Sequence, residues 1–176
     1  MNIDFYCKVI IMKEIIIREM KDSDWEEVKK IYQQGIDSGI STFMRKVPEF
    51  EYWNNSKLKI GRLVAIYDGK IVGWIVLSPI SAREEYSGVC EISVYIHQDY
   101  KRMGIGRKLI EKEIEVSEQN NIWTLQSVML GNNIPSMKLH ESCGFRVVGY
   151  REKVARDKNG EWQNTFLMER RSKVIF

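Results

Sequence analysis

An alternating apolar segment, Val89 to His97, runs into Tyr100-Lys101-Arg102-Met103-Gly104-Ile105-Gly106 and from there directly into a helical pattern, Arg107 to Asn120. Ile92, Val94 and Ile96 fall on one face of the strand, and Glu91, Ser93, Tyr95 and His97 on the other. Leu109, Ile110, Ile114 and Val116 mark the side of the helix that turns to a core. A helix N-terminus has unpaired main-chain N–H groups and a partial positive charge, and glycines ahead of it let a ligand approach the backbone. The unit is therefore suited to an anion, phosphate above all. Three phosphate-binding patterns compete for it. A Walker loop needs G-x-x-x-x-G-K-[ST], which is missing. A dinucleotide fingerprint needs Gly or Ala at position 109, which is Leu109. An acyl-coenzyme A pyrophosphate loop fits at Gly104 and Gly106, with Lys101 where Gln or Arg is usual, and taken alone the same residues equally suit a plain structural turn.

The flanking chain interleaves strands and helices. Lys13 to Met20 reads as a strand, and Ser23 with Glu26 as a capping box for a helix carrying Trp25, Val28, Ile31, Tyr32 and Ile36. Gly39 to Val47 is loop-like, and Pro48 opens a second helix reaching Leu58. Arg62 to Tyr67 and Lys70 to Leu77 form a hairpin around Asp68-Gly69. Ser78 to Gly88 reads as a loop. After the central helix come a strand from Trp123 to Leu130, a short helix from Asn132 to Glu141, and strands from Phe145 to Val154 and Trp162 to Arg170 about a turn at Lys158-Asn159-Gly160. The expected fold class is α/β in one domain: a mixed sheet with helices on both faces. Residues 12–172 form that domain, 173–176 a tail, and 1–11 an extension. The extension is either upstream of a true start at Met12 or an extra edge strand.

Composition narrows the chemistry. Lys and Arg number 27 against 24 acids, too even for a dedicated nucleic-acid binder. Cys7, Cys90 and Cys143 are odd in number and far apart, and the only histidines are His97 and His140. Neither a disulfide framework nor a zinc site at ligand spacing can be built from them, so no metal is expected. No apolar run approaches the length of a membrane span, and the expectation is a cytoplasmic protein.

In Cys90-Glu91-Ile92-Ser93-Val94-Tyr95-Ile96, Gly104-Ile105-Gly106-Arg107, Trp123-Thr124-Leu125-Gln126, Asn133 to Ser136, Leu139-His140-Glu141, Gly144-Phe145 and Gly160-Glu161-Trp162, the chain resembles the GNAT acetyltransferase superfamily. More narrowly it is similar to the phosphinothricin N-acetyltransferase branch, with relatives acting on arsinothricin and methionine sulfoximine. The likeness runs from about Ile15 to Arg171. It implies a mostly antiparallel sheet of about seven strands that splays open to admit acetyl-coenzyme A as co-substrate.

The resemblance also assigns roles. Glu91 becomes the general base, a carboxylate able to take a proton from the attacking amine directly or through one water. His140 assists proton transfer, at the amine or at the departing thiolate. Ser93, Val94, Tyr95, Lys101, Arg102, Met103, Gly104, Ile105, Gly106, Arg107, Asn133 and Ser136 hold the cofactor. Thr42, Phe43, Arg83, Tyr86 and Tyr95 meet the acceptor, Arg83 offering a planar fork to an anion. Asn133 equally suits a helix cap, and His97 reads as structural. Two departures stand out. Ile80-Ser81 occupies a place where some members carry Trp-Lys, and the turn Leu130-Gly131-Asn132-Asn133 lacks a proline.

The implied function is acetyl transfer from acetyl-coenzyme A to the α-amine of a small anionic amino acid such as phosphinothricin, by a homodimer. The alternatives are another amine (a peptide N-terminus, a polyamine or an aminoglycoside) and a non-catalytic acyl-coenzyme A binding module.

Overall fold

The computed structural model describes residues 14–176. The expectations for residues 1–11 and Cys7, and the start of the first strand at Lys13, lie outside the described residues.

Seven strands form one sheet in the order β1-β2-β3-β4-β5-β7-β6. They are β1 (Ile16–Glu19), β2 (Leu63–Tyr67), β3 (Lys70–Pro79), β4 (Val89–Ile96), β5 (Thr124–Leu130), β6 (Arg146–Arg156) and β7 (Trp162–Arg171). The helices are α1 (Trp25–Asp37), α2 (Phe50–Ser56), α3 (Ile105–Gln119) and α4 (Ile134–Ser142). Every neighbouring pair is antiparallel except β4 with β5. The mixed α/β sheet with helices on both faces stands as expected.

The strand β3 explains the layering. Its run Val72 to Leu77 is buried throughout, as befits a central strand covered on both faces. Trp74 and Val76 pack with Trp25, Val28 and Ile31 of α1 and Trp53 of α2. Ile75 and Leu77 turn the other way, toward Leu109 and Ile110 of α3. The β2–β3 turn has positive φ at Asp68 (52°) and Gly69 (73°), the backbone of a two-residue hairpin turn matched to strand twist.

The helix α1 corrects one expectation. Ser23 is not its cap. A short 3-10 turn, Asp22–Asp24, leads in, and the Asp24 carboxylate accepts from Lys21 N at 2.8 Å and from both terminal nitrogens of Arg18 at 2.6 and 2.9 Å. The bidentate bond holds Asp24 below the usual carboxylate range although the side chain is buried. A cation on β1 thus takes the junction that the local sequence pattern gave to Ser23.

The helix α3 also buries a residue that its apolar pattern hides. Glu113 is 0% exposed, and neither carboxylate oxygen has a hydrogen-bond partner. Burial pushes its pKa up to about 8, outweighing the pull of Ser117 one turn on. Room for it comes from Gly61, where a Cβ would fall 2.1 Å from Glu113 Oε1.

Candidate active site

The ladder between β4 and β5 is short: Val89 pairs with Thr124, Cys90 with Leu125 and Glu91 with Gln126. Beyond Glu91, β4 remains paired only with β3, and beyond Gln126, β5 only with β7. The facing edges, Ile92–Ile96 and Ser127–Leu130, therefore part and leave main-chain N–H and C=O groups with no strand between them. A cavity of about 830 Å3 lies along this split.

At one end of the cavity stands the N-terminus of α3. Gly104 has φ +79° and precedes the first turn, which contains no acidic residue to offset the helix charge. Lys101, Arg102 and Arg107 line the same end. Free amides, a left-handed glycine and three cations fit a ligand carrying phosphates. The two glycines differ in what they do. A Cβ at Gly104 would meet open space, whereas one at Gly106 would fall 2.8 Å from Leu139 Cδ2 of α4. Gly104 permits the turn, and Gly106 permits α3 and α4 to pack.

Glu91 sits at the last rung of the ladder, opposite Ser78 on β3 and Gln126 on β5. It is half-buried and lines the cavity. Burial raises its pKa, while the positive charges of Lys57 and Arg151 oppose the rise. Such a carboxylate is more basic than an exposed one.

His140 on α4 is buried, with its ring 5.1 Å from that of Phe145. Its Nδ1 lies 2.8 Å from the main-chain oxygen of Ser136. A carbonyl only accepts, so Nδ1 bears the hydrogen and Nε2 is left with its lone pair. Nε2 is buried and without a partner, and the residue lines the cavity. Burial lowers the imidazole pKa, so the ring is neutral. Thr165 Oγ1, also buried and unpartnered, lines the same space.

Another wall of the cavity is made of aromatic and hydroxyl groups. Tyr95 stacks on Trp74 at 4.7 Å between centroids and meets Tyr32 at 4.9 Å. The hydroxyls of Tyr32, Tyr95 and Thr42 interact, and burial pushes the Tyr95 phenol far above its usual value, so it stays protonated. Gly35 lets α1 cross here, since a Cβ would fall 2.5 Å from the Tyr95 ring.

The structure brings Thr42, Phe43, Glu91, Ser93, Val94, Tyr95, Lys101, Arg102, Gly104, Ile105, Gly106, Arg107, Asn133, Ser136 and His140 to one cavity. Asn133 also caps α4, its side chain accepting from Ser136 N at 3.3 Å. Met103, Arg83 and Tyr86 do not line the cavity. Met103 is exposed in the turn before α3. Arg83 and Tyr86 belong to a loop whose 3-10 turn, Glu84–Tyr86, faces solvent throughout. His97 caps the 3-10 turn Gln98–Tyr100, its Nδ1 accepting from Asp99 N at 3.3 Å. Lys57, Tyr32, Ser127 and Thr165 were not anticipated. Tyr32 reads in the sequence as one more apolar position of α1, and Lys57 as one of many surface lysines.

Among the described residues, no group of three or more His, Cys, Asp or Glu could hold a metal ion. No described helix is long and apolar enough to cross a membrane.

Comparison with known proteins agrees with this geometry. The model of the acetyltransferase (GNAT) family matches residues 24–145. The chain is 30% identical over 161 residues to a phosphinothricin N-acetyltransferase of Alcaligenes faecalis, covering 88% of this chain and 81% of that protein. It is 25% identical over 163 residues to the L-amino acid N-acetyltransferase AaaT of Escherichia coli, covering 90% and 99%. The fold matches that of a GNAT phosphinothricin acetyltransferase from Sinorhizobium meliloti in complex with acetyl-coenzyme A, with a TM-score of 0.80, 20% identity, and 92% and 95% of the two chains covered.

Proposed function

Since the chain belongs to the acetyltransferase (GNAT) family and is an acetyl-coenzyme A-dependent N-acetyltransferase, we propose that its acceptor is the α-amine of a small anionic amino acid, of which phosphinothricin is the type. The observation that carries this reading is the position of Glu91. A basic carboxylate stands where the β4–β5 split closes, and the phosphate-suited helix end stands at its open side.

Acetyl-coenzyme A, when bound, supplies an acetyl group activated as a thioester. The free amides of α3, with Lys101 and Arg102, would hold its phosphates, and the unpaired edges of β4 and β5 would receive its arm. An amino-acid amine is mostly protonated at neutral pH, with a reference pKa of ~7.7–8.0. Glu91 takes that proton, directly or through one water, and frees the lone pair for attack. Unpaired N–H groups along β4 stabilise the negative charge that develops on the acyl oxygen. His140, neutral and presenting a lone pair at Nε2, assists as a proton acceptor near the amine. As the C–S bond breaks, coenzyme A leaves as its thiolate, a tolerable leaving group with a thiol reference pKa of ~8.5, and the second amine proton passes to His140 Nε2, which in this tautomer has no proton of its own to give.

Two curated relatives, named for phosphinothricin and for L-amino acids, support the substrate class. A cytoplasmic homodimer is part of the same proposal. Support for the dimer comes from the edge strand β6, which exposes Val147, Val148, Tyr150 and Val154 beside Trp162 of β7. A resistance role follows where the substrate is a toxic amino acid.

The test is a thiol-release assay with acetyl-coenzyme A and an amine panel: phosphinothricin, methionine sulfoximine, methionine sulfone, spermidine, an aminoglycoside and a peptide N-terminus. Turnover of the amino acids is expected. Turnover confined to the last three compounds refutes the substrate class and leaves the acetyltransferase standing.

A further inference from the structure

An amino acid that presents its amine to Glu91 brings its α-carboxylate with it. Amine and carboxylate are separated by one carbon, so a cation serving the carboxylate must stand within a few ångströms of the base. Arg83 does not line the cavity and lies on an exposed loop. The side chain at position 81 is Ser81, which accepts from Arg83 N at 3.2 Å and carries no charge. Lys101, Arg102 and Arg107 line the cavity at the far end, on the phosphate side. Among the described residues that line it, Lys57 is the remaining cation.

Lys57 follows α2 and is half-buried. Its place is fixed from both sides along the chain. Leu58 N donates to Leu77 O of β3 at 2.9 Å, and the Lys57 carbonyl accepts from Arg62 at 2.9 Å. The Nζ donates to Ser78 Oγ at 2.8 Å, and Ser78 is the cross-strand partner of Glu91. The ammonium is thus held beside the base by the adjoining strand. It feels the Glu91 charge and makes no ion pair with any carboxylate among the described residues. An ammonium has three donors, of which Ser78 uses one. A cation partly withdrawn from water, with donors to spare, is a receptor for an anion in the cavity.

We infer that Lys57, held by Ser78, receives the α-carboxylate of the acceptor and so selects α-amino acids over amines that lack one. The inference rests on the amino-acid reading above and adds to it the residue that enforces it. It also accounts for an acceptor cleft without Arg83: the cation comes from the end of α2 instead of the β3–β4 loop.

The test sets L-phosphinothricin and L-methionine sulfone against their α-carboxamides, which keep the amine and side chain and lose the charge. Lys57→Met should raise KM for both acids by about tenfold or more, the usual cost of losing a charged hydrogen-bond partner. KM for the carboxamides should change by less than about twofold, and KM for acetyl-coenzyme A should stay the same. Lys57→Arg should retain most of the preference for acid over amide. Ser78→Ala, which frees the ammonium without removing it, should weaken the preference by a smaller factor, and it provides the reading if Lys57→Met fails to fold. Equal effects on acid and amide, or an unchanged acid KM in folded Lys57→Met, would overturn the role of Lys57. If the unaltered protein acetylates neither acids nor amides but does acetylate spermidine, the aminoglycoside or the peptide, the substrate reading itself falls and takes this inference with it.

Discussion

His140 Nδ1 donates to the main-chain oxygen of Ser136, one helical turn earlier, at 2.8 Å. The bond fixes the imidazole as the Nδ1–H tautomer. Nitrogen NMR should therefore find hydrogen on Nδ1 of the neutral His140 ring. The midpoint of its titration should lie below the ordinary histidine value, since burial lowers the pKa. His140→Phe, which keeps the ring against Phe145 and deletes the lone pair, should lower kcat by about 10- to 100-fold with little change in melting temperature.

Glu91 must be ionised to accept a proton. Its raised pKa places the acid limb of kcat/KM above the usual carboxylate range. Glu91→Gln should reduce kcat by about 10²–10⁴-fold and partly recover at high pH, where the amine loses its proton unaided. Lys57→Met removes a charge that opposes the rise, so the acid limb should move to higher pH in that variant. A pH–rate profile in which Glu91→Gln matches the unaltered protein would exclude Glu91 as the base.

Glu113 makes stability depend on pH. Its folded pKa of about 8 stands above the ordinary glutamate value of 4.5, so between these values the folded state holds a proton that the unfolded chain has released. The stability linked to that proton is full below pH 4.5, falls with a limiting slope of about 1.4 kcal/mol per pH unit as pH rises, and levels off above the folded pKa. Glu113→Gln keeps the neutral shape and should remove this slope. Melting curves from pH 5 to 9 should show the variant gaining on the parent as pH increases.

Gly106 links the N-terminus of α3 to α4 through Leu139. A Cβ at Gly106 falls 2.8 Å from Leu139 Cδ2, and the neighbouring residue on α4 is His140. Gly106→Val should lower the melting temperature and kcat together, and Leu139→Ala in the same chain should restore part of both. Non-additivity measured in that double-mutant cycle reports the contact. Additive losses would remove Leu139 from the account.

The strand–turn–helix unit was legible because its signals are local: alternation put Glu91 opposite Ile92, and glycines ahead of a helical pattern marked a turn open to a ligand. Asn133 was legible as a cap for the same reason. Lys57, Thr165 and Tyr32 were not, because nothing near them in sequence says that a helix end, a distant strand and α1 converge on one split between β4 and β5. Arg83 lies outside the cavity lining. Its residue type suits an anion, but the path of a loop is set by tertiary packing, and this loop carries it to the surface. The Ser23 cap failed because a bidentate partner, Arg18, lay on a neighbouring strand within reach of Asp24.

The pairing of Glu91 with Gln126 has one more consequence. Any extended molecule that slides along the parted edges from the α3 end meets strands already bonded to each other at this rung. The ladder is a depth stop. It sets how far the tip of such a molecule can travel, and it does so with backbone bonds, which few side-chain substitutions can shift. The distance from the phosphate end to the base is thereby written into the sheet register, so a ligand too short to span it would bind and leave its reactive end out of reach of Glu91.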